Sequence, residues 1–177
     1  MKKYEFTGET KEIRLLFRTA TLHRIRATVA FGIVEVGDLG GWIEKEENLS
    51  HEGKAWVWGN AKVCGDAEVW GNAKVCGDAK VWGNAKVCGD AEVFSASHVL
   101  VIGAIGSRND FTTFYRDKDN EITVKCGCFL GKIDRFLEKV TQTHGDSKYA
   151  LVYRAAVEVA KLQIDLSGEA PKDADEE

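Results

Sequence analysis

The chain is poor in proline and lacks the features that define several common protein classes. Its 177 residues include one proline, Pro171, and acidic residues outnumber basic ones to give a formal net charge of -4. This charge argues against a dedicated nucleic-acid coat, which needs a clear excess of Lys and Arg. No apolar run approaches the roughly 20 residues of a membrane-spanning helix, and Met1–Glu5 lacks the apolar stretch of a secretory signal. We therefore expect a cytoplasmic protein that contacts no membrane.

What the chain has instead is a repeat, which accounts for its 18 glycines, five tryptophans and five cysteines. Residues 55–94 repeat a six-residue unit, the hexad: Ala, a variable residue, Val, Trp or Cys, Gly, then Asn or Asp. Tryptophan and cysteine alternate at the fourth position, so identity recurs every twelve residues. The residues concerned are Trp58, Cys64, Trp70, Cys76, Trp82 and Cys88. Self-similarity of this strength outranks local propensity as a guide to structure.

Each hexad predicts a short strand followed by a corner. Ala-x-Val alternates apolar and variable residues with the period of a strand, and Gly followed by Asn or Asp is turn chemistry because both tolerate positive φ. Corners at constant spacing predict a β-solenoid whose turns share one core. Alanine takes the tighter inward sites, and the predicted inward valines are Val57, Val63, Val69, Val75, Val81, Val87 and Val93.

These hexads resemble the hexapeptide-repeat family over about residues 43–105. The resemblance implies a left-handed parallel β-helix with three hexads per triangular turn, frequent assembly into trimers, and acyltransferase activity in many members. An alternative is a flattened solenoid with twelve residues per turn, which would stack the tryptophans on one face and the cysteines on the other. We favour the three-sided form, in which stacked neighbours lie eighteen residues apart. In either form the tryptophans and cysteines follow an inward valine and should point outward.

The predicted fold class is mainly β: a left-handed parallel β-helix with N-terminal strands and a C-terminal α+β cap. The cap combines a hairpin with two amphipathic helices, which follow from period-two alternation and then from i, i+3, i+4, i+7 spacing. The predicted organisation is given by four ranges. They are 1–36 for the N-terminal strands, 37–105 for the solenoid, 106–164 for the cap and 165–177 for an acidic disordered tail.

The flanking motifs carry a second resemblance, to small hexapeptide-repeat proteins encoded by tailed phages and prophages. The motifs are Gly37–Glu44, Cys126–Phe129 and Thr143–Tyr149. This resemblance implies a role in host takeover or counter-defence, through binding of a host protein or a signalling nucleotide.

The sequence offers only isolated candidate residues for catalysis or for metal binding. His51 and His98 flank the regular hexads and are the histidines best placed to act as the general base of an acyl-CoA-dependent acyltransferase. A surface or capping role is the simpler interpretation of both. Cys126 and Cys128 are spaced as two thiols on one strand face, whereas structural zinc sites favour Cys-x2-4-Cys pairs. We expect no cofactor and no metal.

An outward-pointing aromatic stripe is the predicted binding or assembly surface, because contiguous exposed aromatics mark interfaces. Three interpretations stay open for it: coverage by the chain itself, assembly of subunits, or binding of a ligand or target protein. The stripe comprises Trp58, Trp70, Trp82, Phe94 and Trp56.

Nucleotide stacking on this stripe would need cations nearby. The candidate anion contacts are Arg24, Arg26, Lys62, Lys74, Lys80 and Lys86. Glu68 and Glu92 interrupt the lysines, so nucleic-acid binding is not expected. The sequence thus predicts a phage-type, non-catalytic homo-oligomer, a dimer or trimer, that binds a host protein or small nucleotide as a candidate counter-defence inhibitor. The acyltransferase is the alternative.

Overall fold

The computed structural model describes residues 2–169. Short strands dominate the first two thirds of the chain, and two helices follow near its end. The N-terminal strands are β1 (Tyr4–Arg14), β2 (Thr19–Ala27) and β3 (Leu39–Ile43). The repeat contains β4 (Trp56–Val57), β5 (Lys62–Val63), β6 (Glu68–Val69), β7 (Lys74–Val75), β8 (Lys80–Val81), β9 (Lys86–Val87) and β10 (Glu92–Val93). The remaining elements are β11 (Val99–Ile105), β12 (Asp110–Arg116), β13 (Ile122–Cys126), β14 (Phe129–Lys132), α1 (Ile133–His144) and α2 (Lys148–Gln163).

The N-terminal strands form a hairpin that is continued by strands of the repeat. β1 and β2 pair antiparallel, β3 adds antiparallel to β2, and β5 and β8 add in parallel to give the sheet order β1-β2-β3-β5-β8. The hairpin exposes apolar residues at its tip, where Phe17 is 95% exposed. One face of this mixed sheet is therefore built jointly by the hairpin and by two hexads.

The repeat segment, residues 55–94, makes two-residue strands because each hexad extends only at its variable residue and valine before glycine turns the chain. Lys62 pairs with Lys80 and Glu68 pairs with Lys86, which is an offset of eighteen residues. The same offset relates β4 to β7 and β7 to β10. Pairing therefore skips two hexads each time, and the twelve-residue stacking does not occur.

The predicted inward residues of the repeat segment are confirmed. Every one of the seven valines is at most 1% exposed, and the alanines that begin the hexads are equally buried. Together with Ile43, Leu49 and Trp56 they form one aliphatic cluster, closed at one end by Tyr4 and at the other by Tyr115. Small β-branched and methyl side chains fill this interior closely, as dense native cores require.

The predicted fold class, a left-handed parallel β-helix, is wrong. The strands belong to four small separate sheets of five, three, four and two strands, with antiparallel and mixed pairing. Parallel pairs are confined to short strands and are scattered among three of those sheets. The physical reason is the hexad itself: glycine turns interrupt the chain before a strand grows long enough to extend a sheet, while the long strands lie in the flanks and pair antiparallel.

The C-terminal unit, residues 99–164, consists of an antiparallel sheet in the order β11-β12-β13-β14 covered by α1 and α2. The predicted hairpin between β12 and β13 and both predicted helices are confirmed. Its core is aromatic: Phe136 of α1 contacts both Phe114 of the sheet and Tyr153 of α2 edge-to-face. β11 belongs to this sheet, although the sequence assigned its residues to the repeat.

Residues 165–169 lie against the molecule. The Asp165 amide donates to the Ser97 carbonyl at 3.2 Å, and the Arg116 guanidinium donates to the Gly168 carbonyl at 2.7 Å. The rest of the predicted acidic tail, 170–177, lies outside the described residues. Neither helix in the described part of the chain combines the length and apolar character needed to cross a bilayer.

Candidate ligand-binding site

A cavity of about 480 Å³ opens in the C-terminal unit, between the sheet and the helices. Three segments bound it: the β11–β12 connection at 107–110, the β13–β14 turn at 126–129, and one face of α1. Tyr153 of α2 completes the wall. This volume is in the range of pockets that hold one small organic molecule.

Aromatic side chains line the inner part of this cavity. Phe136 lies with its ring centroid 5.5 Å from that of Tyr153, and His144 stacks on the other side of Tyr153 at 5.8 Å. Phe129 contacts Phe136 at 5.3 Å. Flat rings at several angles leave an irregular space that aliphatic side chains do not fill. The inner cavity is therefore suited to a planar, largely apolar group.

The Tyr153 hydroxyl is held close to the backbone of the β11–β12 turn. A side chain at Gly106, whose φ is +73°, would place its Cβ 1.9 Å from the Tyr153 oxygen. The Cys126 thiol donates weakly to the same hydroxyl, with the sulfur and oxygen 3.9 Å apart. Burial, with the neighbouring Cys126, raises the pKa of Tyr153 to about 12. The hydroxyl therefore stays protonated at neutral pH.

Charged groups surround the mouth of the cavity. Arg108 of the β11–β12 connection and Lys139 of α1 are exposed residues of the lining, and Asp110 is its acidic residue. Neither cation forms an ion pair with any residue between 2 and 169. Asp110 accepts a hydrogen bond from the Phe111 amide at 2.7 Å. The mouth thus offers two cations and one carboxylate.

The two thiols near the cavity differ in environment. Cys126 is half-buried and accepts a hydrogen bond from the Thr112 hydroxyl at 3.3 Å, whereas Cys128 is exposed on the β13–β14 turn. Across residues 2–169, no group of three His, Cys, Asp or Glu side chains is placed to hold a metal ion. What these thiols contribute is the polarity of one wall.

His51 and His98, the candidate general bases, lie away from this cavity and are held by backbone amides. His51 Nδ1 accepts from the Lys3 amide at 3.1 Å and its ring stacks on Tyr4, while His98 is 2% exposed and accepts from the Phe94 amide at 3.3 Å. Burial lowers the pKa of both imidazoles. These contacts favour the capping role at the two ends of the aliphatic cluster.

The predicted aromatic stripe is not contiguous. Hydrogen bonds lead from the Trp58 amide to Val75 and from the Cys76 amide to Val93, so Trp58 is followed by Cys76 and then Phe94. By the same register, Trp82 follows Cys64 and Trp70 precedes Cys88. The eighteen-residue offset therefore distributes the tryptophans over three separate rows.

Exposure within the predicted stripe is also uneven. Trp82 is 47% exposed, Trp58, Trp70 and Phe94 are half-buried, and Trp56 is fully buried against Phe31. Including Trp56 in the surface was wrong, because the N-terminal segment covers it. Two cysteines expected to point outward, Cys64 and Cys88, are 1% exposed for the same kind of reason. The N-terminal hairpin covers Cys64, and Tyr115 covers Cys88.

The candidate anion contacts divide into paired and unpaired cations. Lys74 bridges to Glu92 at 3.3 Å and Lys86 to Glu68 at 3.8 Å. Arg24 and Arg26 bridge to Glu9 and Glu5. The remaining two, Lys62 and Lys80, form no ion pair within 4 Å in the part of the chain that the structure describes, and the acid that acts on Lys62 at longer range is Asp78.

Sequence reasoning missed the cavity altogether. Neither Arg108 nor Lys139 belongs to a recognisable sequence motif. Their spacing does not indicate that the β11–β12 connection approaches α1. The sequence signal for a cavity was weak. Tyr149 and Tyr153 belong to an amphipathic helix pattern, which predicts that their side chains are buried but does not predict a pocket beside them. The chain matches no protein-family model, and no curated protein is significantly similar to it.

Proposed function

We propose that this protein is a non-catalytic binding protein whose C-terminal cavity takes a small anionic molecule bearing a planar ring, with a signalling nucleotide as the chemical class. The observation that carries the proposal is the cavity itself, which combines an aromatic interior with two unpaired cations at its mouth. A purely apolar cavity would favour a hydrocarbon, and a purely charged one an inorganic ion.

Each part of a nucleotide has a counterpart in the lining. The base would stack on Phe129 and His144, the two lining rings that are only half-buried. The phosphate would lie between Arg108 and Lys139, since unpaired cations near a phosphate form charge-assisted hydrogen bonds. Asp110 is placed to accept from a ribose hydroxyl or an exocyclic amine.

The biological role we propose is counter-defence in a host cytoplasm, as the resemblance to phage-encoded proteins implies. A binding protein that sequesters a signalling nucleotide needs affinity and abundance, and it needs no catalytic base. This agrees with the contacts of His51 and His98, whose Nδ1 atoms each accept from a backbone amide. The phage origin and the role in defence rest on the resemblance alone.

Homo-oligomeric assembly is part of the proposal. α2 carries apolar side chains that no other described part of the chain covers: Leu151 is 59% exposed, Val159 48% and Leu162 90%. The spacing from Leu151 to Val159 is eight residues and that from Val159 to Leu162 is three, which places all three side chains on one helix face. A second copy of the chain, packed face to face along α2, would bury them. Mass photometry of the wild type and of Leu162→Glu tests this, and a wild-type monomer at micromolar concentration contradicts it.

Isothermal titration calorimetry with a panel of mononucleotides and cyclic dinucleotides tests the binding function. We expect at least one to bind, and Arg108→Ala and Lys139→Ala each to weaken that binding by about tenfold or more, since bonds between charged partners contribute roughly 1.5–3 kcal/mol. The matched control is Arg135→Ala, which removes a cation from the same helix α1 at a position 81% exposed and outside the cavity.

Two results would refute this function. One is the absence of binding across the whole panel at low ionic strength. The other is an equal loss of affinity in Arg135→Ala and Lys139→Ala, because that would show general attraction to the protein surface. Tyr153→Phe separates stacking from hydrogen bonding: it keeps the ring, and we expect it to retain most of the affinity.

A further inference from the structure

A second surface, far in sequence from the cavity residues, carries unbalanced positive charge. It is the outer face of the sheet β1-β2-β3-β5-β8, which we call the basic face, and it is defined by Lys11, Arg24, Trp42, Lys62 and Lys80. Trp42 of β3 pairs with Lys62 of β5, and Lys62 pairs with Lys80 of β8. Paired residues point to the same side of a sheet, so these side chains follow one another across the strands.

The three rows of outward residues in the repeat segment differ in charge. Lys74 is neutralised by Glu92 in one row, and Lys86 by Glu68 in another. In the third row a lysine lies beside a lysine, because the residue eighteen positions after Lys62 is Lys80. Like charges directly opposite one another in a sheet are destabilising. The chain as a whole is acidic, so this pair is not explained by a general excess of lysine.

The hairpin adds Lys11 to the same charge, whereas its Arg24 is bridged by Glu9. Lys11 lies over the Trp42 ring with its Nζ 4.3 Å from the centroid, and Arg24 lies at 5.8 Å from that ring. The Arg24 Nη1 forms an ion pair with a Glu9 carboxylate oxygen at 3.2 Å. The Arg24 Nε is buried and has no hydrogen-bond partner among residues 2–169. Burial together with Lys11 and Lys80 lowers the pKa of Lys62, and the nearby Asp78 offsets only part of this effect. A carboxylate docked here would relieve this repulsion.

Exposed aromatic surface borders the row at one end. Lys80 lies 5.7 Å from the Trp82 ring, and Trp82 is the most exposed tryptophan of the repeat segment. Trp42, in contrast, is 7% exposed because Lys11 and Arg24 cover it. A single exposed indole at the edge of a cationic surface is typical of a protein interface anchor. Single-stranded nucleic acid would instead need several open ring faces for successive bases.

We propose that the basic face is a docking surface for an acidic segment of a partner protein, with carboxylates on Lys11, Lys62 and Lys80 and an apolar side chain on Trp82. The partner class follows from charge complementarity across the row and from the shortage of open stacking faces. This surface is separate from the cavity and uses none of its residues. The outcome of a peptide-binding experiment on the basic face is therefore independent of whether the cavity binds a nucleotide.

Fluorescence anisotropy with a labelled deca-glutamate peptide tests the proposal on the full chain. We expect binding at low salt that weakens as salt is added, since exposed charges are screened. The double substitution Lys62→Gln and Lys80→Gln should weaken the affinity by about fivefold, in line with the roughly 0.2–1 kcal/mol of each exposed ion pair. Quenching of Trp82 emission on binding, absent in Trp82→Phe, would place the peptide on this face.

The matched control is the double substitution Lys74→Gln and Lys86→Gln. It removes the same net charge from the same hexad position in the other two rows, where glutamates already neutralise the lysines. We expect its affinity for the peptide to equal that of the wild type. An equal loss in the two doubles overturns the proposal, and so does the absence of peptide binding at low salt. Tighter binding of a deoxythymidine decamer than of the peptide also overturns it.

Discussion

The repeat segment and the C-terminal unit bury different side chains, and the aromatic-lined cavity lies in the C-terminal unit. The repeat core is alanine and valine, each at most 1% exposed, in positions that recur every six residues. The C-terminal core is aromatic and packs two helices against a sheet. Small side chains at constant spacing fill their interior closely, whereas flat rings meeting at different angles leave room for a ligand. The cavity with an aromatic wall is thus part of the C-terminal unit, whereas the repeat segment contributes turn residues, among them Gly65 and Gly83, to a cavity of about 410 Å³ that it shares with the N-terminal segment.

The largest expected effect on stability comes from removing an aromatic ring from the core of the C-terminal unit. Phe136→Ala should lower the free energy of unfolding by about 3–5 kcal/mol, because Phe136 is 3% exposed and contacts Phe114, Phe129 and Tyr153. The matched change in the repeat, Val75→Ala, removes fewer atoms and should cost about 2 kcal/mol. Urea denaturation measures both. A larger loss for Val75→Ala would reverse the assignment of where packing energy is concentrated.

The next effect concerns the turns of the repeat segment. Gly77 and Gly83 both have positive φ, but a Cβ at Gly77 would lie 2.7 Å from the Phe94 carbonyl oxygen, while one at Gly83 meets nothing within 4 Å. Gly83→Ala should cost about 1–2 kcal/mol, the conformational term alone. Gly77→Ala should cost about 1–3 kcal/mol more, from overlap with backbone. Thermal unfolding followed by circular dichroism compares them, and equal melting temperatures would contradict the close approach.

These results show how far the sequence determined the fold. The period of the hexads predicted which residues are buried, because Val75 and its equivalents obey a local alternation. It did not predict the division into separate sheets, since that depends on how long β1, β2 and the C-terminal strands grow and on where they pair. Trp56 and Cys64 were assigned to the surface because coverage by β1 and β2 is a long-range event that their own spacing does not encode.

The candidate site was less predictable than the fold. Arg108 and Lys139 are brought to one cavity mouth by the packing of α1 on β13 and β14, and neither residue has a local signature. The basic face was partly predictable: the sequence named Lys62 and Lys80, but it named Lys74 and Lys86 with equal weight. Only the eighteen-residue register shows that two of these lysines lie beside glutamates and two beside each other.

The smallest expected effect is a pH dependence at the N-terminal end of the repeat core. Lys3 is 2% exposed, donates to the Ala55 carbonyl at 2.7 Å and lies over the Phe31 ring. Burial lowers its pKa from 10.5 to about 8. Between these values the unfolded chain binds more protons than the folded one, so the free energy of unfolding should rise as pH increases from about 8 to 10.5.

Lys3→Met removes this group while keeping an unbranched apolar stem. Its free energy of unfolding should lack the rise between pH 8 and 10.5 that the wild type shows, as measured by urea denaturation at several pH values. Lys2→Met is the control, because Lys2 is exposed and bridges to Glu46. Parallel pH profiles for the wild type and Lys3→Met would show that Lys3 is hydrated in solution.

The register of the repeat segment also constrains how such a gene can change in length. Side-chain identity recurs every twelve residues, whereas backbone pairing joins residues eighteen apart, so each indole at the fourth hexad position has a thiol as its neighbour. Duplicating twelve residues would preserve identity but move every later lysine to a different row. Only thirty-six residues, the smallest common multiple of the two periods, can be gained or lost with both patterns intact. Length variation among descendants of this sequence would therefore exchange the charged rows before it disturbed the valine interior.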